Sequence, residues 1–185
     1  MATALGSSGD RPAALAELLG IIQNDGKRLP AIRFTHLQFG QDTPFETRLD
    51  NTQQPAEQVM KPAVARAMKS ALAEVVAQGT ARRLQGVFVG ADKRALPVGG
   101  KTGTGDNRLV SRGHKTLALN RTATFVFYLG DRHFGTLTAF IPGAEAKNFQ
   151  FTSALPVQAL KSMAPILRPY LQEGSQCGSA PPDAG

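Results

Sequence analysis

The run of residues 99–106, with the sequence GGKTGTGD, is the densest group in this chain that could do chemistry. Lys101 offers an ammonium group, and Thr102 and Thr104 offer hydroxyl groups. The glycines between them leave the backbone open to a ligand. Two kinds of site use such a run: a loop that binds nucleotide phosphates, and an extended strand at the border of an active site.

The phosphate-loop interpretation depends on the residues after the lysine. Residues 95–102, with the sequence ALPVGGKT, match the relaxed form of that loop, with Ala95 in place of its first glycine. Such a loop needs a helix that begins at the Lys-Thr pair, because the first amide groups of the helix bind the phosphates. Here Gly103, Gly105 and Asp106 come next, which are poor residues for the first turns of a helix. We therefore expect an extended strand and regard nucleotide binding as the weaker alternative.

The first half of the chain predicts a helix, a short strand and a loop. Asp10 is a suitable helix cap, and Pro12 stands in the first turn, where its missing N–H costs no hydrogen bond. Apolar residues then recur at helical spacing until residues 24–26, with the sequence NDG, predict a turn. Residues 31–39 alternate between apolar and polar and predict a strand, whereas residues 40–55 show no period and predict a loop.

The longest predicted helix runs from Pro55 to about Gln78, where Gly79 ends it. Its apolar residues recur every three or four positions and predict one buried stripe. These residues are Met60, Val64, Met68, Leu72 and Val75. We interpret the methionines of the stripe as core residues.

The second half of the chain predicts three strands and a last helix. The strands cover residues 95–104, 122–129 and 134–141, and a turn after residue 129 joins the last two in a hairpin. The helix begins near Ser153, and Pro165 should kink or end it. The expected fold class is therefore α+β, with an antiparallel sheet packed against helices.

The expected domain covers residues 1–172. Residues 173–185 are rich in glycine, serine, proline and alanine, and we expect them to form a disordered tail.

Several stretches resemble the later half of the transpeptidase domain of penicillin-binding proteins, of the bifunctional class. They are residues 4–18, the turn at residues 24–26, the stretch 78–84 with the sequence QGTARRL, and the run 98–104 with the sequence VGGKTGT. The resemblance covers roughly residues 3–170. It implies part of the penicillin-binding-protein fold, in which the Lys-Thr-Gly strand borders the site of a serine acyl-enzyme.

The resemblance also implies roles for individual residues. Lys101 would be catalytic, because its ammonium group tunes electrostatics and proton transfer around the serine. Thr102, Gly103 and Thr104 would bind substrate: the hydroxyl groups hold its terminal carboxylate, and the glycine lets an extended ligand approach. The implied ligands are peptidoglycan stem peptides and β-lactams. The implied location of the intact parent is the periplasmic face of the inner membrane.

No nucleophile of the expected kind is found in the sequence. The family uses a Ser-x-x-Lys motif and a Ser-x-Asn motif, and no serine of this chain is followed by lysine or asparagine at those spacings. We therefore expect an N-terminal half of the domain to supply them, in the same protein or as a partner, and expect this chain alone to be inactive. The alternative is a binding or interaction module of the same fold without chemistry.

Composition excludes some classes of function. The formal net charge is +7, but the basic residues are scattered and the chain has no Trp, so we expect no nucleic-acid partner. With one cysteine, Cys177, and no Cys/His cluster, we expect neither a metal nor a cofactor. We also expect no targeting segment and no membrane span.

Overall fold

The computed structural model describes residues 11–32, 34–51, 54–110 and 116–172, excluding the side chains of residues 106–110 and 116–118. Four helices and seven strands lie in this part of the chain. In chain order they are α1 (Pro12–Gln23), β1 (Lys27–Arg28), β2 (His36–Phe39), β3 (Thr47–Asp50), β4 (Glu57–Gln58), α2 (Pro62–Ala77), β5 (Val98–Val110), β6 (Thr116–Leu129), β7 (His133–Pro142), α3 (Ala154–Ser162) and α4 (Ala164–Gln172).

A three-stranded antiparallel sheet, in the order β5-β6-β7, holds the fold together. The expected α+β class with an antiparallel sheet is confirmed. The strands β5 and β7 are the edges of this sheet, and β7 exposes Phe134 and Phe140. Because side chains alternate along a strand, the side chains of neighbouring residues of β6 point to opposite faces of the sheet.

The two faces pack against different helices. Phe125 is fully buried and belongs to a cluster with Leu84, Val157 and Leu160, which lie near the end of α2 and on α3. Val126 points to the other face, where it packs with Tyr128 and with Leu19 of α1. The sheet is therefore a central layer with helices on both sides, and α2 packs along β5.

An irregularity interrupts the pairing of β5 with β6. Asn107 pairs with Asn120 but Arg108 pairs with Ala118, so Leu119 is an extra residue on β6. The carbonyl oxygen of Leu119 accepts a hydrogen bond of 2.7 Å from the N–H of Gly143, directly after the end of β7. The bulge thus lies where the three-stranded part of the sheet ends.

The helices α1 and α2 differ from expectation at their starts. The N-cap of α1 is Arg11, whose side chain makes no capping bond, so the prediction of Asp10 as the cap is wrong. The helix α2 begins at Pro62 rather than Pro55, because Pro62 fixes its own φ and holds the preceding Lys61 in an extended conformation. The helix therefore starts after Met60, and Val64 is exposed.

The predicted loop over residues 40–55 contains a strand that sequence reasoning missed. β3 pairs with β2 in an antiparallel hairpin, and Leu37 lies opposite Leu49. The strand β2 is also shorter than the prediction over residues 31–39. Its four residues are all exposed.

The predictions for the second half agree better with the structure. The hairpin of β6 and β7 is confirmed, although β5 and β6 are longer than expected. The last helix begins after Ser153, as predicted, and breaks at Met163; α4 then starts with Pro165 as its second residue. The expected tail 173–185 lies outside the described residues. None of the described helices is long and apolar enough to cross a membrane.

Candidate functional site

The Lys-Thr-Gly run forms part of the edge strand β5, so one side of its backbone is unpaired by the sheet. Two of its glycines have opposite surroundings. A methyl group on Gly100 would meet the carbonyl oxygen of Val126 and lie 2.7 Å from the Phe125 ring. A methyl group on Gly103 would meet no atom within 4 Å. Gly100 is therefore required for packing, whereas Gly103 leaves open space above its face of β5.

The hydroxyl group of Thr102 is hydrogen-bonded to Thr80, which follows α2. The two Oγ1 atoms are 2.7 Å apart, and either hydroxyl can donate. Thr102 is 9% exposed, so most of its surface is covered. This contact joins β5 to the segment between α2 and the 3₁₀ turn at Arg82–Leu84.

The hydroxyl group of Thr104 meets the start of α3. Its Oγ1 atom accepts a hydrogen bond of 2.8 Å from the N–H of Ser153, and Thr104 itself is exposed. Since the oxygen is the acceptor in this contact, the hydroxyl proton of Thr104 remains free to be donated to a ligand. Sequence reasoning gave no role to Thr80 or Ser153, because nothing in the spacing shows that they reach β5.

Lys101 lies on the opposite face of β5 from Thr102 and Thr104. It pairs with Val126, on the α1 face of the sheet, whereas Thr102 pairs with Phe125 on the α3 face. The Nζ atom of Lys101 donates a hydrogen bond of 2.6 Å to the carbonyl oxygen of Thr102. The ammonium group therefore lies against the backbone of the strand and beside Gly103, on the same face.

Away from this run, Tyr128 is the described residue with a clearly shifted pKa. Tyr128 is 2% exposed, and its hydroxyl donates a hydrogen bond of 3.2 Å to the carbonyl oxygen of Lys69. Burial raises the pKa of Tyr128 above its ordinary value of 10.0, and the negative charge of Asp131 raises it further. The Nζ atom of Lys69 in turn lies 2.9 Å from a carboxylate oxygen of Asp131.

The sequence model of the penicillin-binding-protein transpeptidase domain matches residues 3–159. This match covers most of the chain, and it agrees with a fold in which the Lys-Thr-Gly run forms the edge of an antiparallel sheet flanked by helices. The chain therefore belongs to the penicillin-binding-protein transpeptidase family. No curated protein matches the sequence.

Solved structures of penicillin-binding proteins share the fold. The ceftriaxone acyl-enzyme of penicillin-binding protein A from Mycobacterium tuberculosis superposes with a TM-score of 0.55 at 17% identity, over 84% of this chain and 31% of that one. The aztreonam complex of penicillin-binding protein 3 from the same organism superposes with a TM-score of 0.52 at 18% identity, over 86% of this chain and 35% of that one. This chain thus spans about a third of the length of each.

Proposed function

We propose that this chain contributes the Lys-Thr-Gly wall of a D,D-transpeptidase site and binds the carboxylate end of a peptidoglycan stem peptide. Open space over Gly103 in the edge strand β5, with the exposed hydroxyl of Thr104 on the next residue, is the observation that carries the proposal. An extended peptide can lie against the edge of β5 only where no side chain stands in its way.

The hydroxyl protons that Thr102 and Thr104 can still donate support carboxylate binding. A carboxylate only accepts hydrogen bonds, so the strand must provide donors. The hydroxyl of Thr104 meets this condition, because its oxygen already accepts from the N–H of Ser153. Thr102 meets the same condition when the Thr80 hydroxyl donates its proton to the Thr102 oxygen, because the hydroxyl proton of Thr102 is then available to the ligand. Because Thr104 is exposed and Thr102 nearly covered, Thr104 is the donor that a ligand meets first.

Lys101 would contribute its positive charge to the same strand, β5. Its ammonium group attracts an anionic ligand and, in an intact domain, would tune proton transfer around a serine nucleophile. In the parent protein, that serine would attack the D-alanyl-D-alanine peptide bond of one stem peptide, release the terminal D-alanine and form an acyl-enzyme. The amine of a second stem peptide would then displace the serine and form the cross-link, whereas a β-lactam would acylate the same serine without forming a cross-link. Members of this family act outside the cytoplasm, and we place the parent at the periplasmic face of the inner membrane.

A titration of the ¹⁵N-labelled chain with acetyl-D-alanyl-D-alanine tests the binding proposal. We expect amide shifts centred on residues 101–105, and we expect Thr104→Val to weaken binding while Thr104→Ser retains it. Thr138→Val is the matched control, because Thr138 is an exposed threonine of β7 whose hydroxyl contacts Thr124. Shifts that map elsewhere, or an affinity that Thr104→Val leaves unchanged, would refute the proposal.

We expect no catalysis from this chain alone. The measurement is intact mass after incubation with a labelled penicillin, and a covalent adduct would disprove the expectation. The lack of a Ser-x-x-Lys motif also favours a second candidate, a binding module without chemistry. An open reading frame upstream of Met1 that encodes the two serine motifs would favour the transpeptidase, and its absence would favour the module.

A further inference from the structure

An open depression lies beside Thr80, next to the Lys-Thr-Gly strand. Its volume is about 720 Å³, and it is lined by Gln78, Gly79, Thr80, Arg82, Arg83 and Gln158. The hydroxyl of Thr80 at its border is the group that bonds to Thr102, so the depression opens on the α3 side of β5. We call it the arginine depression.

The charge of the arginine depression is not neutralised by the described part of the chain. No carboxylate among the described residues lies within 4.0 Å of the side chain of Arg82 or Arg83. Other arginines differ in this respect: each of four lies within that distance of a carboxylate, namely Arg28, Arg48, Arg66 and Arg94. Two adjacent guanidinium groups therefore face a concave surface without a counter-charge from the described residues.

Gln158 of α3 holds one of these groups in place. Its Oε1 atom accepts a hydrogen bond of 3.3 Å from Arg83, which only the carbonyl end of an amide can do. The amide N–H groups of Gln158 are thus left as further donors at the border of the depression. Guanidinium groups bind carboxylates through two parallel hydrogen bonds, and neighbouring amide donors suit the same ligand.

We propose that the arginine depression binds a second carboxylate of the peptide ligand, separate from the terminal carboxylate at Thr104. The position of the anion site follows from Arg82, Arg83 and Gln158 alone, whereas its assignment to the same peptide rests on the proposed function. The hydrogen bond between Thr80 and Thr102 places both subsites on one side of β5. A peptide with carboxylates at both ends should therefore bind better than a peptide with one.

The test compares N-succinyl-D-alanyl-D-alanine, which carries two carboxylates, with N-acetyl-D-alanyl-D-alanine, which carries one. We expect the succinyl peptide to bind the unaltered chain about fivefold more tightly, the upper range for an exposed ion pair. The advantage should disappear in the double variant Arg82→Gln/Arg83→Gln, whereas the affinity for the acetyl peptide should stay unchanged.

The matched control is Arg94→Gln/Lys147→Gln, which removes the same charge from exposed positions outside the depression. It should keep the succinyl advantage, and added salt should reduce that advantage. Equal affinities of the two peptides for the unaltered chain, or an advantage that survives in Arg82→Gln/Arg83→Gln, would overturn the proposal. Far-UV circular dichroism of each variant confirms that it is folded.

A third arm uses inorganic phosphate to separate the two sources of the anion. If phosphate binds in a manner that depends on Arg82 and Arg83 but the succinyl group gives no advantage, the depression holds a free anion and the peptide assignment is wrong. If the acetyl peptide itself fails to bind the unaltered chain, the proposed function is refuted instead. The two failures are therefore distinguishable.

Discussion

Replacing Gly103 by alanine should impair ligand binding without unfolding the chain. The added methyl group meets no atom within 4 Å, and Gly103 is not among the residues with positive φ, so the backbone accepts alanine. Alanine also has less conformational freedom than glycine in the unfolded state, which favours folding by about 0.4–1 kcal/mol. We therefore expect Gly103→Ala to leave the free energy of unfolding equal to, or slightly above, that of the unaltered chain.

The same methyl group occupies the space in which the peptide is proposed to lie. A methyl group on this residue would crowd a ligand that lies along β5, and it should raise the dissociation constant of acetyl-D-alanyl-D-alanine about tenfold, equivalent to about 1.4 kcal/mol. Titration of the labelled chain measures the dissociation constant, and urea unfolding measures stability.

Gly100→Ala is the contrasting variant. Its methyl group would press on the Val126 carbonyl oxygen and the Phe125 ring, and overpacking of this kind lowers stability by about 1–3 kcal/mol. The reasoning is refuted if Gly103→Ala binds the peptide as the unaltered chain does, or if it loses as much stability as Gly100→Ala.

Three further predictions concern stability. The folded-state pKa of Tyr128 is raised, so its stabilising contribution is fully present below the ordinary pKa of 10.0 and is lost as pH rises through the folded pKa. Urea unfolding between neutral and alkaline pH should therefore show a smaller loss of unfolding free energy in Tyr128→Phe than in the unaltered chain. An equal loss in both would contradict this cause. Phe125→Ala removes a fully buried ring and should lower the free energy of unfolding by about 3–5 kcal/mol. Phe149→Ala should lower it by less than about 1 kcal/mol, because Phe149 is 44% exposed. Amide hydrogen exchange should be fast in the exposed hairpin of β2 and β3 and slow in the middle of β6, and the opposite order would show that the hairpin is covered in solution.

Elements with strong local signals were predictable from the sequence. The apolar run of β6, the turn after Leu129 and the return strand β7 are specified by residues within the hairpin itself. The break before Pro165 follows from the geometry of proline, which needs no tertiary contact to act. The strand β3 was missed because its residues Thr47–Asp50 are all exposed, so no buried face gives them a clear alternation.

The candidate site was only partly predictable. The glycines after Thr102 indicate a strand rather than a helix, and the structure has a strand there. The sequence does not show that Thr80 and Ser153 contact the threonines of that strand, because these contacts join residues 22 and 49 positions apart. Nor does spacing show that Arg82 and Gln158 line one depression, since α3 reaches it only through the packing of the sheet.

The bulge at Leu119 gives the sheet a fixed alignment. Sliding β5 along β6 by one position would exchange the surroundings of Lys101 and Thr102, so the ammonium group would face Thr80 and the hydroxyl would face α1. Such a slide would also move the extra residue away from Gly143, whose N–H bonds to its carbonyl oxygen. A change in the strand residues beyond the bulge can therefore leave the order of charged and hydroxyl groups on β5 the same.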